Sequence, residues 1–213
     1  MQEFEARGYK YGDAHLSCAH PFLLPAVYEI LDNLGQRVDE RKLFDLGCGN
    51  GSVANAISKR AWNVTGCDPS IEGIQQANAS YAGLRLDVGS AYDRLEKKYG
   101  QFPVLLSLEV IEHLYAPRKF AETAYNLLQP GGWAIISTPY HGYWKNLAMA
   151  LCGKMDHHFT ALWDHGHIKF WSIPTLTELL IEAGFSDISY IRVGRIPILA
   201  KSMIAIARKP ILG

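Results

Sequence analysis

Several features that would point to particular classes of protein are absent from the sequence or scarce in it. The 213 residues include only four cysteines, none of them in Cys-x-x-Cys spacing. Scattered cysteines of this kind are typical of reduced thiols, so we expect a cytoplasmic protein. No apolar run approaches the length of a membrane span. The polar first residues, MQEFEARGYKYGD, lack the apolar segment of a signal peptide, so none is predicted.

An excess of either charge is also missing, since lysine plus arginine and aspartate plus glutamate both number 21. This balance removes the global field that favours nucleic acid or an anionic membrane as a partner, although local patches survive it. Hydrophobic content of 48% and charged content of 20% are typical of a globular protein. With no repeats or low-complexity segments, residues 1–213 are predicted to form a single domain.

The chain is organised around residues 42–70, where an apolar run ending at Leu46 predicts a strand and a helical pattern begins at Val53. Between them lie three alternating glycines: Gly47, Gly49 and Gly51. Glycines let a backbone turn tightly and approach a ligand without a Cβ in the way. A second β-branched run ends at Asp68, whose carboxylate can accept hydrogen bonds from both hydroxyls of a ribose. The stretch therefore predicts a parallel βαβ unit that accepts an adenosine-type ligand.

The spacing of the glycines distinguishes between ligands. A dinucleotide fingerprint reads G-x-G-x-x-G, whereas this turn reads G-x-G-x-G and follows Asp45. A carboxylate just before the turn repels a pyrophosphate and suits a cationic amino-acid ligand, which disfavours an NAD-dependent oxidoreductase. The stretch resembles the first motif of the class I S-adenosylmethionine (SAM)-dependent methyltransferases, E/D-x-G-x-G-x-G.

That resemblance implies a role for each acid near the turn. Asp45 and the three glycines would hold the methionine end of SAM, and Asp68 would hold the ribose. Asp87 ends the short predicted strand LRLDV, where the family places a polar side chain against the adenine amino group. The alternative for Asp87 is a surface acid in a turn.

Later segments extend the resemblance and the expected fold. FPVLLSL, residues 102–108, is apolar without alternation, as expected of a strand buried on both faces, with an irregular start at Pro103. LLQPGGW matches the L-x-P-G-G of the family before its fifth strand, here Trp133 to Thr138. The runs SDISYIRV and SMIAIARK alternate as antiparallel edge strands do. The expected fold is α/β: a Rossmann-like doubly wound seven-stranded sheet, mostly parallel with an antiparallel last strand, and with helices on both faces.

We expect this domain to have four parts. Residues 1–37 would form a helical cap, in which HPFLLPAVYEILDNLG lies over the ligand mouth, with Tyr9, Tyr11 and His15 upstream. The other parts are a SAM-binding core at residues 42–138, a lid or acceptor segment at 139–173, and a C-terminal helix and strands at 174–208.

The motif EVIEH follows the fourth predicted strand, at the edge where open α/β sheets bind ligands. On a helical turn Glu109, Glu112 and His113 share one face. Two carboxylates and an imidazole on one face are a half-shell for a divalent cation. In many class I methyltransferases the motif holds no metal and its first acid, here Glu109, lies near SAM. The alternative to a metal site is that Glu109 and His113 serve as hydrogen-bonding residues.

In two branches of the family these residues resemble magnesium ligands: the ubiquinone-pathway O-methyltransferases and the small-RNA 3′-terminal 2′-O-methyltransferases. The RNA branch adds a downstream histidine, which His167 in DHGHIKFWS resembles, with His165 as its rival. A carboxylate-rich site prefers Mg²⁺ or Mn²⁺ to Zn²⁺. The ion would act as a Lewis acid on a pair of acceptor oxygens and lower the pKa of the one attacked.

The segment WKNLAMALCGKM resembles S-W-x-M-A-x-x-G of the ubiquinone-pathway enzymes, which makes that branch the closest in motif pattern. Its apolar residues share one helical face, flanked by two lysines: Trp144, Leu147, Ala148 and Leu151, with Lys145 and Lys154. A short amphipathic helix of this kind can cover an apolar substrate or touch a membrane surface. The alternative is a lid helix that packs on its own domain.

The sequence therefore predicts a SAM-dependent methyltransferase that acts on an oxygen of a small phenolic or apolar acceptor. Most of the rate gain would come from alignment and desolvation. His113 is the candidate for taking the acceptor proton; by chemistry alone His141, His157 and His158 are further candidates. Two alternatives remain: an RNA-end methyltransferase, which the missing basic stripe disfavours, and a catalytically silent SAM-binding protein.

Overall fold

A computed structural model describes residues 12–159, 161–164 and 166–211, which form a seven-stranded sheet flanked by helices. The strands are β1 Lys42–Leu46, β2 Asn63–Asp68, β3 Arg85–Val88, β4 Phe102–Leu108, β5 Leu128–Pro139, β6 Ser186–Val193 and β7 Ser202–Arg208. The α-helices are α1 His20–Leu34, α2 Ser52–Ser58, α3 Ile71–Ser80, α4 Leu95–Tyr99, α5 Pro117–Leu127, α6 Tyr143–Leu151, α7 Met155–Phe159 and α8 Ile173–Glu182. Two short 3-10 helices, Ile111–His113 and Pro197–Leu199, complete the described elements.

The order of the strands confirms the predicted sheet. It reads β3-β2-β1-β4-β5-β7-β6, and the pairs from β3 to β5 are all parallel. Strand β7 runs antiparallel to both of its neighbours, β5 and β6. Because the chain reverses strand order between β1 and β4, the loops after these strands meet at one edge, which is where such sheets bind ligands.

One expectation about the last strands is wrong. SMIAIARK was expected to alternate at an edge, but β7 lies inside the sheet between β5 and β6. Five of its seven residues are buried, as an interior strand with a covered face on each side requires. Strand β6 is the true edge, and its residues do alternate between more and less exposed positions.

Helices cover both faces of the sheet, as predicted. On one face α1, α2 and α3 pack against strand residues such as Leu43 and Leu106. On the other face α5 and α8 pack against residues such as Phe44 and Leu105. Helix α1 thus belongs to a layer of the core, and it is the segment before it that reaches the glycine turn.

Strand β4 pairs irregularly with β5 near its start, as Pro103 led us to expect. The pairing of β4 with β5 shifts register between Phe102 and Val104, where Pro103, which offers no N–H to the ladder, lies opposite four residues of β5, 129–132. Strand β5 begins at Leu128, five residues before the predicted Trp133, and includes Gly131 at φ +81°.

No helix among the described residues is long and apolar enough to cross a membrane. Three residues named in the sequence analysis lie outside the described residues: Tyr9, Tyr11 and His165.

Candidate active site

The glycine turn between β1 and α2 has the backbone that the sequence predicts. Gly47, Gly49 and Gly51 all have positive φ angles, of +86°, +53° and +74°. The N–H of Gly47 donates to the carbonyl of Cys67 at the end of β2, 2.9 Å away. A Cβ at Gly47 would lie 2.5 Å from Cγ2 of Val110, so the turn admits no side chain there. The turn is therefore held between β2 and the loop after β4.

Two carboxylates lie under this turn. Asp68 accepts hydrogen bonds from the N–H of Gly49 at 3.0 Å and of Ser70 at 2.8 Å. Asp45 is buried, and its Oδ2 has no hydrogen-bond partner among the described residues. Burial and the charge of Asp68 raise the pKa of Asp45 to about 7, and burial raises the pKa of Asp68 to about 6. A cation placed above the turn would meet two acids that lack a counter-charge.

The segment before α1 crosses the glycine turn. The side-chain amide of Asn50 donates to the carbonyls of Asp13 and His15, at 2.7 and 2.9 Å. The hydroxyl of Tyr81, just after α3, donates to the carbonyl of Ala14. The backbone beside His15 therefore lies at the turn, while the imidazole of His15 is exposed.

Asp87 lies on β3, beside Cys67 of β2, and its carboxylate has local partners. It accepts a hydrogen bond from the hydroxyl of Tyr99 at 2.8 Å, and the ammonium of Lys98 is 3.3 Å away. The bond from Tyr99 is the main cause of its lowered pKa. Its carboxylate is thus ionised and partly exposed at the sheet edge, and contact with adenine stays a prediction.

Glu109 is held by two serines from other strands. Its backbone is left-handed, at φ +55°, and its N–H donates to Oγ of Ser137 at 3.0 Å. The hydroxyls of Ser137 and Ser202 donate to the two carboxylate oxygens at 2.8 and 3.2 Å. Burial nevertheless raises its pKa to about 7. A non-glycine residue in this conformation stores strain that tertiary contacts must hold, and such residues cluster at functional sites.

Glu112, His113 and His167 come together beyond β4. One ligand atom from each lies within 4.8 Å of the others, an arrangement that could hold a metal ion. The Nε2 atoms of His113 and His167 are 4.0 and 3.9 Å from Oε1 of Glu112. Both oxygens of the buried Glu112 carboxylate lack a hydrogen-bond partner among the described residues. Three of the four predicted metal ligands therefore form one group, and Glu109 lies outside it.

Backbone contacts bring His167 to this group from more than fifty residues away. The carbonyl of Glu112 accepts hydrogen bonds from the N–H groups of Ile168 and Lys169, at 2.9 and 3.0 Å. Nδ1 of His113 lies 3.2 Å from the carbonyl of Gly166, and because a carbonyl only accepts, Nδ1 donates. In the neutral ring Nδ1 therefore carries the proton, and Nε2, which lies on the side of Glu112, does not.

The electrostatics of this group favour a cation. Burial, and next the charge of Glu109, raises the pKa of Glu112 well above its usual range. Burial, and next the charge of His113, lowers the pKa of His167 to about 4. Neutral imidazole is the form that binds a metal, and Glu112 would bind as the carboxylate, whose burial a cation would stabilise.

Two residues near the site were not predicted. Ser202 on β7 supplies a hydroxyl to Glu109 and has no motif that marks it. Lys145 was named only as a residue that flanks the apolar face of α6; it is buried, whereas Trp144 and Leu151 on that face are exposed. Its burial had no signal in the sequence, because a lysine on an apolar helix is ordinarily placed outward.

Of the remaining candidate histidines, His157 and His158 belong to α7 and His141 lies beside it. The ring of His141 lies 5.2 Å from that of His158 and 5.1 Å from that of Phe170, centroid to centroid. His141 is buried and His157 is exposed. None of the three belongs to the group of Glu112, His113 and His167.

A mostly parallel sheet of this order, with an antiparallel seventh strand, a glycine turn and an acid at the end of the second strand, is the Rossmann-like fold of SAM-dependent methyltransferases. Residues 22–190 match the family model described as a methyltransferase domain. The chain belongs to this family of SAM-dependent methyltransferases, as the resemblance in the sequence indicated.

Curated relatives in the matched region are O-methyltransferases by name. The ubiquinone biosynthesis O-methyltransferase of Ruegeria pomeroyi is 30% identical over 152 residues, which cover 69% of this chain and 60% of the relative. The protein of the same name from Psychrobacter arcticus is 28% identical over 155 residues, covering 68% and 59%. The chain therefore matches about three fifths of the length of these relatives.

Solved structures share the fold at low sequence identity. Magnesium protoporphyrin IX methyltransferase from Synechocystis PCC 6803, solved with bound SAH, aligns with a TM-score of 0.63 at 16% identity, over 87% of this chain and 82% of that one. An O-methyltransferase family protein from Burkholderia thailandensis aligns with a TM-score of 0.64 at 17% identity, over 88% and 56%.

Proposed function

We propose that the protein transfers a methyl group from SAM to an oxygen of a small phenolic or apolar acceptor. The observation that carries this proposal is the group of Glu112, His113 and His167, which lies at the sheet edge that also carries the glycine turn. A hydroxyl must lose its proton to be methylated, and this group offers both a base and a cation site. The names of the curated relatives support transfer to oxygen.

SAM supplies a methyl group on a sulfonium that is already activated for in-line transfer. In our proposal Asp45 and the backbone of the glycine turn bind the cationic methionine end, Asp68 binds the ribose and Asp87 contacts adenine. The segment 139–173 covers the acceptor and excludes water. Nε2 of His113 takes the proton of the acceptor hydroxyl when no cation is bound, because a nitrogen that binds an ion cannot also accept a proton.

The donor set fits a divalent cation. Glu112 is a buried carboxyl without a hydrogen-bond partner among the described residues, and two imidazole nitrogens lie about 4 Å from it. One carboxylate with two histidines suits Mn²⁺ or Zn²⁺ better than the Mg²⁺ that the motif suggested. Mg²⁺ becomes the better fit only with Glu109 as a further ligand. Such an ion would supply Lewis acidity toward the acceptor oxygen.

The test is methyl transfer from labelled SAM to catechol, and to a cell extract split into small-molecule, lipid and RNA fractions. Each assay is run with Mg²⁺, Mn²⁺, Zn²⁺ or chelator. We expect label in the small-molecule or lipid fraction, lost with Glu112→Gln and kept with Glu122→Gln, an exposed acid on α5. Label confined to RNA would contradict the proposed acceptor class.

A second candidate function is methylation of RNA ends, because the same three residues resemble the ligands of that branch. The even charge balance of the chain counts against it. Absence of label from every fraction, with SAM bound, would leave a silent SAM-binding protein.

We also propose that α6 makes a peripheral contact with a membrane from which an apolar acceptor is taken. Its apolar residues face outward: Tyr143 is 74% exposed, Trp144 59% and Leu151 80%. Exposed aromatic and aliphatic side chains on one helix are typical of interfacial helices. Sedimentation with lipid vesicles should weaken in Trp144→Ser/Leu151→Ser and persist in Ile181→Ser, on the exposed side of α8. Equal sedimentation of both variants would contradict the contact.

The four thiols are free in the structure, which supports a reducing compartment, and we propose the cytoplasm.

A further inference from the structure

Lys145 is an ammonium group that the fold has removed from water. It is 6% exposed, and its Nζ donates to the carbonyls of Tyr140 at 2.7 Å and Lys201 at 3.3 Å. These bonds join α6 to the loops beside β5 and β7. Two carbonyls satisfy two of its three N–H donors but supply no negative charge. A buried lysine ordinarily has a carboxylate partner, because an unpaired charge is expensive to bury.

Other basic groups converge on the same place from separate segments. His141 follows β5, and the ring of His158 on α7 lies 5.2 Å from it. Arg195 follows β6, and it is close enough to Lys145 for its charge to act on that ammonium. The charge of Lys145 acts in turn on both histidines. We call Lys145, Arg195, His141 and His158 the basic cluster.

Within the part of the chain that the structure describes, the basic cluster has no acid within ion-pair distance. Among the described residues neither Lys145 nor Arg195 forms a salt bridge, although the chain as a whole is neutral. The acid whose charge reaches Lys145 is Glu109, and its oxygens accept hydrogen bonds from Ser137 and Ser202. Burial, and next the charge of Arg195, lowers the pKa of Lys145 to about 8. Burial, and next the charge of Lys145, lowers the pKa of His141 to about 4.

A structural role alone explains only part of this arrangement. The two carbonyl contacts of Lys145 account for its anchoring of α6. They do not account for Arg195 beside it, since a second cation raises the cost of keeping the ammonium charged. An anion would relieve that cost, and the two histidines, whose pKa values are lowered, are neutral rings that can donate hydrogen bonds to it.

The position of the basic cluster links it to the site already described. His141 follows Pro139, the last residue of β5, and β5 carries Ser137, the hydrogen-bond partner of Glu109. The charge of His167, from the candidate metal group, also reaches His141. A molecule whose hydroxyl lies at Glu112 and His113 could therefore extend toward Lys145 and Arg195.

We propose that the basic cluster binds an anionic group of the methyl acceptor, a carboxylate or a phosphate ester. This inference rests on the proposed function, because it assigns the acceptor of the same site. Lys145 and Arg195 supply the charge, and His141 and His158 supply ring N–H donors. The acceptor is then a hydroxylated ring or chain that carries its anion at the end away from the hydroxyl.

The test compares three small ligands. Benzoate and benzamide are nearly isosteric and differ in charge. Phenyl phosphate carries a phosphate ester, the other anionic group that the basic cluster could bind. Binding of each to the SAH-loaded protein is measured by calorimetry and by ligand-observed NMR. We expect one of the anions to bind about tenfold more tightly than benzamide, as a partly desolvated charge pair allows. Preference for benzoate would indicate a carboxylate and preference for phenyl phosphate a phosphate ester.

Variants locate the preference. Arg195→Gln, at an exposed position, and Lys145→Met should both reduce anion binding to the level of benzamide. Lys154→Met removes an exposed lysine nearby and should leave the preference intact. Thermal unfolding checks that Lys145→Met is folded, and Arg195→Gln tests the proposal independently of it. Equal binding of all three ligands by the wild type, or an equal loss in Lys154→Met, would overturn the proposal.

Methyl transfer to catechol, measured on the same samples, tests the proposed function separately from this inference. Transfer without any anion preference would refute the basic cluster as an acceptor site. An anion preference without transfer to any acceptor would refute the proposed function and leave the anion site standing.

Discussion

The cofactor side and the acceptor side of this site are built in different ways. The cofactor side lies within 24 consecutive residues, Asp45 to Asp68, and much of what it offers a ligand is backbone: positive-φ glycines and N–H groups over two buried acids. The acceptor side is assembled from side chains of EVIEH, α6, the loop before α8 and β7. The comparison teaches that a binding surface formed by one short stretch of backbone can be recognised in a sequence. A binding surface formed by side chains from distant segments can be recognised only once the fold is known.

The largest effect should separate the two sides. Asp68→Ala removes the carboxylate that accepts from Gly49 and Ser70 and would bind the ribose. We expect SAM affinity to fall about 100-fold or more, because two hydrogen bonds to a charged group are lost. Calorimetry with SAM measures this, with Glu112→Gln as the acceptor-side control that keeps SAM affinity. Equal losses in the two variants would mean that the sides are not independent.

The next effect tests whether the cofactor side depends on backbone. Gly47→Ala places a Cβ 2.5 Å from Val110 at a positive φ, whereas Gly83→Ala has the same backbone strain with nothing within 4 Å. We expect a loss of about 2–4 kcal/mol in the free energy of unfolding for Gly47→Ala and about 1 kcal/mol for Gly83→Ala. Chemical denaturation measures both, and similar losses would show that the clash with Val110 is relieved by relaxation.

The third prediction concerns pH. Because the pKa values of Asp45 and Asp68 are raised to about 7 and about 6, both acids gain protons as the pH falls through this range. Cationic SAM needs the ionised forms, so its affinity should fall roughly tenfold between pH 7.5 and pH 6. Calorimetry across this range should give a flatter profile for Asp45→Asn and an unchanged one for Asp187→Asn, an exposed acid. A level wild-type profile would contradict the raised pKa values.

The smallest effect is expected at Asp87, on the edge strand β3 beyond the glycine turn. Its carboxylate is partly exposed and already has Tyr99 and Lys98 as partners. We expect Asp87→Asn to lower SAM affinity by less than about threefold, since one partly exposed hydrogen bond to adenine is weakened. A loss as large as that of Asp68→Ala would place Asp87 among the principal ligands of the cofactor.

Much of the fold followed from local signals in the sequence. Three local signals each predicted one element: the glycine turn after β1, the apolar run of β4 before Glu109, and the L-x-P-G-G motif at β5. The order of the strands followed from the family that these signals indicate. The position of β7 did not follow, because a strand of small apolar residues has the same sequence pattern at the edge of a sheet and in its interior.

The candidate site was predictable to the extent that motifs carry it. EVIEH and the downstream histidine suggested that Glu112, His113 and His167 lie together, and the structure brings these three side chains together; their roles stay predictions. Whether Glu109 joins them depends on Ser137 and Ser202, which approach from β5 and β7 and have no spacing rule in the sequence. The ammonium of Lys145 is held in its buried position by the backbone carbonyls of Tyr140 and Lys201. Every residue has a backbone carbonyl, so the sequence gives no sign of such a contact.

The place of β7 has a consequence for how the protein is made. This strand pairs with β5 on one side and β6 on the other, yet it is synthesised after both. Until residues 202–208 have left the ribosome, one edge of β5 has no partner and β6 has nothing to pair with. Folding of the nascent chain must therefore wait for its last strand, and during that interval the open edge of β5 is the place where aggregation or chaperone binding would begin.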